Sequence, residues 1–273
     1  MEDVVGLVKA LGSRFIERRD AKAVQMEENP FDHEVKGWQP VRARGGGYEP
    51  FKMQDFIDHL EGRRTFGHYM VSPEGKAKLF AFDIDLNGDV GPNKEPGGLK
   101  VEEDGTLTPW RPREVYHSDD AEGRAYLIRE LRAVAESFAL TIDKEMGIPV
   151  AICNSGNKGL HVYGFTGTAT AGEQREAAQL VLNYWGCWEA YKGEHFFRHV
   201  DYALGINGNI SIEVFPKQDQ LASADRLGNL MALPLGINRV TGVRKEFIRT
   251  DVDSSVLVPM DPMRALSGDL PWE

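Results

Sequence analysis

The stretch "KLFAFDIDLN", Lys78 to Asn87, sets two carboxylates, Asp83 and Asp85, two residues apart inside an apolar run. Side chains alternate across a strand, so Phe80, Phe82, Ile84 and Leu86 share one face while Leu79, Ala81, Asp83 and Asp85 share the other. Burying an unpaired charge is costly, and that alternation predicts a helix-covered face and an open face that carries the acids. At an effective dielectric of about 20, two carboxylates about 4 Å apart repel by about 4 kcal/mol, so a cation is required nearby.

Working outward, Ser118 or Asp119 is placed to cap a helix that runs to about Met146, with Leu127, Leu131, Val134 and Phe138 on one stripe. "IPVAIC" and "LHVYGF" read as strands joined by the tight turn "NSGNKG". "GEQREAAQLVLNYWGCWEAY" reads as a second helix and "NISIEVF" as a closing strand. The order is β α β β α β, four antiparallel strands with both helices on one face. A later strand, "NLMALPLG", extends the C-terminal side.

Upstream lie a helical segment to about Arg19, a Gly-rich breaker "RARGGGYEP", and a helix "FKMQDFIDHLEG" with Phe51, Phe56, Ile57 and Leu60 near helical spacing. Residues 87–120 are rich in Gly, Pro and acids and read as an exposed insertion. The chain divides into an N-terminal lobe (1–78), a main lobe (79–250) and a tail (251–273) within one domain.

On the other strands, Asn209, Ser211, Glu213 and Phe215 alternate against Ile210, Ile212 and Val214, while His161, Tyr163 and Phe165 oppose Leu160, Val162 and Gly164. Three carboxylates and a histidine on one sheet face form a hard-oxygen site suited to Mg²⁺ or Mn²⁺. The turn from Ser155 through Lys158 to Gly159 offers amides, a hydroxyl and an ammonium to a phosphate. Lys158, Lys217 and Arg239 are candidates to neutralise phosphate charge.

Composition narrows the classes. No apolar stretch approaches a membrane span, and the amphipathic start "MEDVVGLVKALGSRF" is neither signal peptide nor anchor. Two cysteines, Cys153 and Cys187, cannot staple 273 residues, which makes a reducing cytoplasm the default. A formal charge of −10 argues against a general nucleic-acid coat but permits a locally basic cleft.

The strand with Asp83 and Asp85, then "SGNKGLH", "IEVFPKQ" and "GNLMALPLGINRVTG", in that order, resemble the catalytic motifs of the archaeo-eukaryotic primase superfamily, especially the primase-polymerases of mobile elements, phages and defence systems. The resemblance runs from "HLEGRRTFGHYMV" to about Phe247. It implies an RRM-like catalytic sheet fused to an N-terminal α/β lobe, and a DNA primase or polymerase that uses two Mg²⁺ or Mn²⁺ ions. It implies Asp83, Asp85 and Glu213 as metal ligands and catalytic acids, and Ser155 and His161 as contacts to the nucleotide phosphates, with Lys158, Gly159, Lys217 and Arg239 alongside. Nucleoside triphosphates and single-stranded template or primer-template are the implied partners. The sequence shows no P-loop, so any unwinding partner, such as a separate helicase, is another chain or another part of a longer protein. Asn238 departs from the His-Arg pair that relatives often carry after "LPLG", and Asp201 is a rival third acid.

Other readings are weaker. Cys187, His195 and His199 give only three ligands, too few for a structural zinc. An RNA-recognition module shares the strand order, but it presents an aromatic where this chain presents Asp83 and Asp85. A nuclease or rolling-circle initiator needs a paired-histidine motif and a nucleophilic tyrosine. The aromatics of "NYWGCWEAY" fit a packed helix better than a stacking platform.

Overall fold

The computed structural model describes residues 2–27, 37–86, 99–101, 104, 106–109, 112–187, 196–198, 210–223 and 225–272. Asp201, His195, His199 and Asn209 lie outside the described residues. The first elements are α1 (Glu2–Phe15), β1 (Lys22–Gln25), β2 (Trp38–Pro40), α2 (Met53–Leu60), β3 (Phe66–Tyr69), β4 (Lys76–Ala77) and β5 (Phe80–Leu86). After them come β6 (Leu99–Val101), β7 (Leu107–Pro109), α3 (Pro112–Tyr116), α4 (Ala121–Leu140), β8 (Val150–Asn154), β9 (Gly159–Gly164), β10 (Ala169–Thr170) and α5 (Ala171–Tyr184). The chain closes with β11 (Phe196–Arg198), β12 (Ile210–Phe215), β13 (Leu230–Ala232) and α6 (Pro262–Ser267).

The fold is a mixed α/β arrangement with antiparallel sheets, as the pattern of alternation predicts. The central sheet has the order β11-β12-β5-β9-β8, with every neighbouring pair antiparallel. Phe80, Phe82, Ile84 and Leu86 are fully buried. The Phe138 ring on α4 meets Phe82 at 4.8 Å, which fixes α4 on that face. Gly164 shares the face: a Cβ there would overlap the Phe80 ring. The α4 stripe of Leu127, Leu131, Val134 and Phe138 is buried as its spacing predicts. Its cap is Asp120, one residue beyond the two expected, whose Oδ1 accepts from Gly123 N at 2.8 Å. The helix continues as a single wide turn over Thr141–Glu145. Helix α5 starts on a reciprocal cap in which Thr170 and Glu173 satisfy one another's backbone. Its Trp185 donates from Nε1 to Thr141 Oγ1 at 2.9 Å, a packing contact against the α4 end.

The other face of β5 is less open than alternation alone predicts. Leu79, Ala81, Tyr163 and Phe165 are all buried. Helix α1 covers the last two: the Phe15 ring stands edge-on to Tyr163 at 4.9 Å and to Phe165 at 5.6 Å. Only the end of the strand that carries the acids reaches solvent.

A second sheet has the order β13-β3-β1-β2. The expected strand in "NLMALPLG" is present as β13, but it pairs with β3, with Met231 opposite His68, and so completes the N-terminal sheet from the far end of the chain. Under this sheet, Lys22 pairs with Asp55 at 2.6 Å, and Asp55 also accepts from Lys52 N at 2.7 Å to open α2. The segment read as an exposed insertion carries an antiparallel ribbon, β6 with β7, and the short α3, whose Val115 and Tyr116 pack on the core. No helix among the described residues is long and apolar enough to cross a membrane.

Candidate active site

The sheet register gathers the acids in two adjacent rows. Glu213 on β12, Asp83 on β5, His161 on β9 and Cys153 on β8 stand opposite one another, and beside them run Ser211, Asp85 and Gly159. The side chains of Asp83 and Asp85 keep 27% and 32% of their exposure, although every apolar neighbour on β5 is closed off.

The positive charge that the acids require comes from the chain itself. Lys158 donates to Asp85 Oδ2 at 2.6 Å and to the Leu86 carbonyl at 2.8 Å. Lys217 forms an ion pair with Glu213 and lies 4.7 Å from the Phe215 ring centre. His161 Nε2 is 3.4 Å from Asp83 Oδ1, and its Nδ1 is 2.8 Å from the Tyr163 hydroxyl. Burial raises Tyr163 well above the usual tyrosine range, so its hydroxyl stays protonated. Burial alone would raise Asp83, but the charge and hydrogen bond of His161, with Lys158 and Lys217 behind, hold it below its ordinary value. Asp85 moves the other way, raised by burial and by the charge of Asp83 against the pull of Lys158. The pair is therefore split: Asp83 ionises ahead of Asp85.

Gly159 has a steric role. A Cβ on it would overlap Asp85 Oδ1 and the Ile84 carbonyl, so the strand beside Asp85 must be bare. The turn before it is satisfied internally. Ser155 Oγ accepts from Asn157 N and Gly159 N at 3.3 and 3.2 Å, and Gly156 N donates to Asn154 Oδ1 at 2.9 Å. Gly156 has φ of +73°, a conformation that favours glycine, and a Cβ there would lie 2.9 Å from Asn238 Cβ and 3.1 Å from Lys245 Cγ.

Asn238 ties the turn to the second sheet. Its Oδ1 accepts from Gln25 Nε2 at 3.3 Å and from Val240 N at 3.0 Å, while Nδ2 reaches Ser155 O at 3.5 Å. Thr241 donates to the Gly156 carbonyl. Arg239 is engaged on the second sheet's side. Its guanidinium donates to the Gly62 carbonyl at 2.7 Å, to Thr65 Oγ1 at 3.1 Å and to Glu27 at 3.1 Å.

Between the two sheets lies an open-mouthed cavity of about 360 Å³. Asp83, Asp85, His161, Glu213, Ser155 and Lys217 line it, as do Gln25, Trp38, Asn238 and Lys245. Gly159, Lys158 and Arg239 stand outside its lining. Trp38, Gln25 and Lys245 were not legible as site residues: each sits in a segment that gains a role only when the second sheet closes over the first.

The donor set suits a hard cation. Asp83 Oδ1 is shut from water, with the His161 ring nitrogen 3.4 Å away, and the ligands on offer are carboxylate oxygens. Among the described residues, no group of three or more His, Cys, Asp or Glu is already drawn together tightly enough to hold an ion. Cys187, of the zinc possibility, is buried with Sγ 3.8 Å from the Trp185 carbonyl, and its two histidines lie outside the described residues.

The family model for the archaeo-eukaryotic primase domain of the TOTE conflict system matches residues 8–256. The chain belongs to this family. No curated protein matches the chain. For a primase domain the site has a consistent sense, because primase-like nucleotidyl transfer in a conflict or defence system is the chemistry that membership implies, with nucleotides and nucleic acid as the partners of such a domain.

Proposed function

We propose that this primase domain binds a nucleoside triphosphate in the cavity between the two sheets and joins its α-phosphorus to the 3′-hydroxyl of a primer or first nucleotide paired to a single-stranded DNA template, with pyrophosphate leaving, as a DNA primase, a DNA polymerase or both. The observation that carries this reading is the placement of Glu213, Asp83 and Asp85 on adjacent rows at the floor of a cavity of about 360 Å³. Asp83, Asp85 and Glu213 would hold two Mg²⁺ or Mn²⁺ ions. When bound, such ions neutralise charge on the attacking and leaving oxygens of an in-line displacement. The chain's own part is positioning and charge compensation. Ser155 and His161 contact the phosphates, and Gly159 keeps the space that Asp85 needs. Lys158 compensates Asp85 from outside the cavity lining, and Lys217, which pairs with Glu213 inside it, would serve the phosphates. Arg239 braces the Asn238 loop against the second sheet and acts on the nucleotide through that loop.

The strand order β12-β5-β9-β8, threaded by α4 and α5, supports the RRM-like reading of residues 79–250, with 1–78 as an N-terminal lobe and 251–273 as a tail. We place the enzyme in the cytoplasm with a separate helicase. A non-catalytic RNA-binding module is disfavoured because Asp83 and Asp85 would repel phosphate on the face where such modules stack bases. Incubation with template, labelled nucleotides and Mg²⁺ or Mn²⁺ separates the readings. Extended or newly started products support this one, shortened products indicate a nuclease, and binding without product indicates a module.

A further inference from the structure

Two basic side chains, lysines 217 and 245, are among the described residues that line the cavity. Lys217 is paired with Glu213. Lys245 is 2% exposed, and its Nζ is shut from water with no hydrogen-bond partner among the described residues. Leaving a buried amine unpaired is costly, and the cost is recovered when an anion supplies an acceptor.

The placement of Lys245 says where that anion belongs. Its stem packs beneath the Ser155 turn: Cγ lies 3.1 Å from where a Cβ on Gly156 would be. Its Nζ is 5.2 Å from the Trp38 ring centre. Lys245 therefore bridges the turn on the first sheet and the tryptophan on the second. The cations that the sequence nominated are engaged elsewhere: Lys158 on Asp85, Arg239 on Gly62, Thr65 and Glu27.

We propose that Lys245, between the Ser155 turn and Trp38, is the cationic anchor for the phosphate tail of the bound nucleotide. This rests on the nucleotide reading above and names the residue that supplies the turn with its positive charge. An ammonium meeting phosphate oxygens gains charge-assisted hydrogen bonds that it lacks in the empty cavity. The charged and titratable groups acting on Lys245 are Cys153 on β8, Arg239 beyond β13 and His59 on α2. Burial is the largest influence and lowers the amine to about 8, against the upward pull of Cys153 and with Arg239 adding to the fall. Anion binding thus draws a proton onto Lys245 near and above that pH.

The probe is inorganic tripolyphosphate with Mg²⁺, titrated calorimetrically against the wild type and Lys245→Met at pH 7 and pH 9.5. We expect the methionine variant to keep its thermal midpoint or raise it, because the change removes an unpaired buried amine, and to bind tripolyphosphate at least tenfold more weakly at pH 7. Wild-type affinity should fall at pH 9.5 although the ligand becomes more anionic, and at pH 8.5 binding should take up protons, seen as a dependence of the heat on buffer ionisation. Equal affinity in the two proteins, or a wild-type affinity that does not fall at the higher pH, overturns the proposal. The wild-type pH series stands even if the variant does not fold. Template-directed incorporation, run in parallel, tests the underlying reading. Tripolyphosphate bound in the predicted way without incorporation overturns nucleotidyl transfer and supports the subsite.

Discussion

Gly159 shows how closely single residues set this site. It stands opposite Asp85 in the register, and any Cβ would strike both the Asp85 carboxylate and the Ile84 carbonyl. Alanine there forces the strands apart or turns Asp85 away. Overpacking of this kind costs about 1–3 kcal/mol. Gly159→Ala should show that loss in urea unfolding and at least a tenfold loss of nucleotide incorporation; wild-type values for both would mean that Asp85 is not held against β9. The acids themselves were legible because alternation on one long strand separates Phe80, Phe82, Ile84 and Leu86 from Asp83 and Asp85. The role of Gly159 was not, since it is a steric relation between two strands and leaves no local pattern.

At the scale of elements, β5, α4 and β12 follow from periodicity, while β1, β2 and β3 are only three or four residues long and show no alternation to read. All four residues of β3 are buried, so a period of two carries no signal there. His68 on that strand is 1% exposed, and neither ring nitrogen has a hydrogen-bond partner among the described residues. His59 on α2 accepts from Phe66 N at 3.0 Å and donates to the Pro234 carbonyl at 2.9 Å, a pair of bonds that needs the neutral ring. Burial holds both histidines down to about 3, from an ordinary 6.5. Above pH 6.5 both rings are neutral whether the chain is folded or not, and they add nothing to the pH dependence. Below it the unfolded chain takes protons that the folded chain refuses, so stability falls by about 1.4 kcal/mol per pH unit for each histidine. His68→Leu should match or exceed wild-type stability at pH 7.5 and gain about 2 kcal/mol relative to it by pH 5. A stability difference that stays constant over this range would show that His68 titrates normally in the fold.

In the whole molecule, the cavity exists because the chain returns: β13 closes the N-terminal sheet, and the loop from Asn238 to Lys245 fastens it to the Ser155 turn. Arg132, buried on α4, secures the following segment by donating to the carbonyls of Asp253 at 2.6 Å and Val256 at 2.9 Å. That closure was hidden in the sequence, where Trp38 and Lys245 lie far apart and each resembles an ordinary surface residue. A fragment of residues 79–273 would strand β13 without its partner β3, so it should lack cooperative unfolding by circular dichroism; a cooperative transition like that of the full chain would show that the main lobe is independent. The central claim is that Asp83, Asp85 and Glu213 together perform metal-dependent nucleotidyl transfer. Its most direct measurement is incorporation of labelled nucleotides on primed and unprimed single-stranded DNA with Mg²⁺ or Mn²⁺, comparing wild type with Asp83→Ala, Asp85→Ala and Glu213→Gln. The account predicts product from the wild type and a loss of about a hundredfold or more in each variant, as expected when a group that stabilises transition-state charge is removed, with thermal midpoints that show a folded protein. Wild-type rates in the Asp83 and Asp85 variants would contradict it.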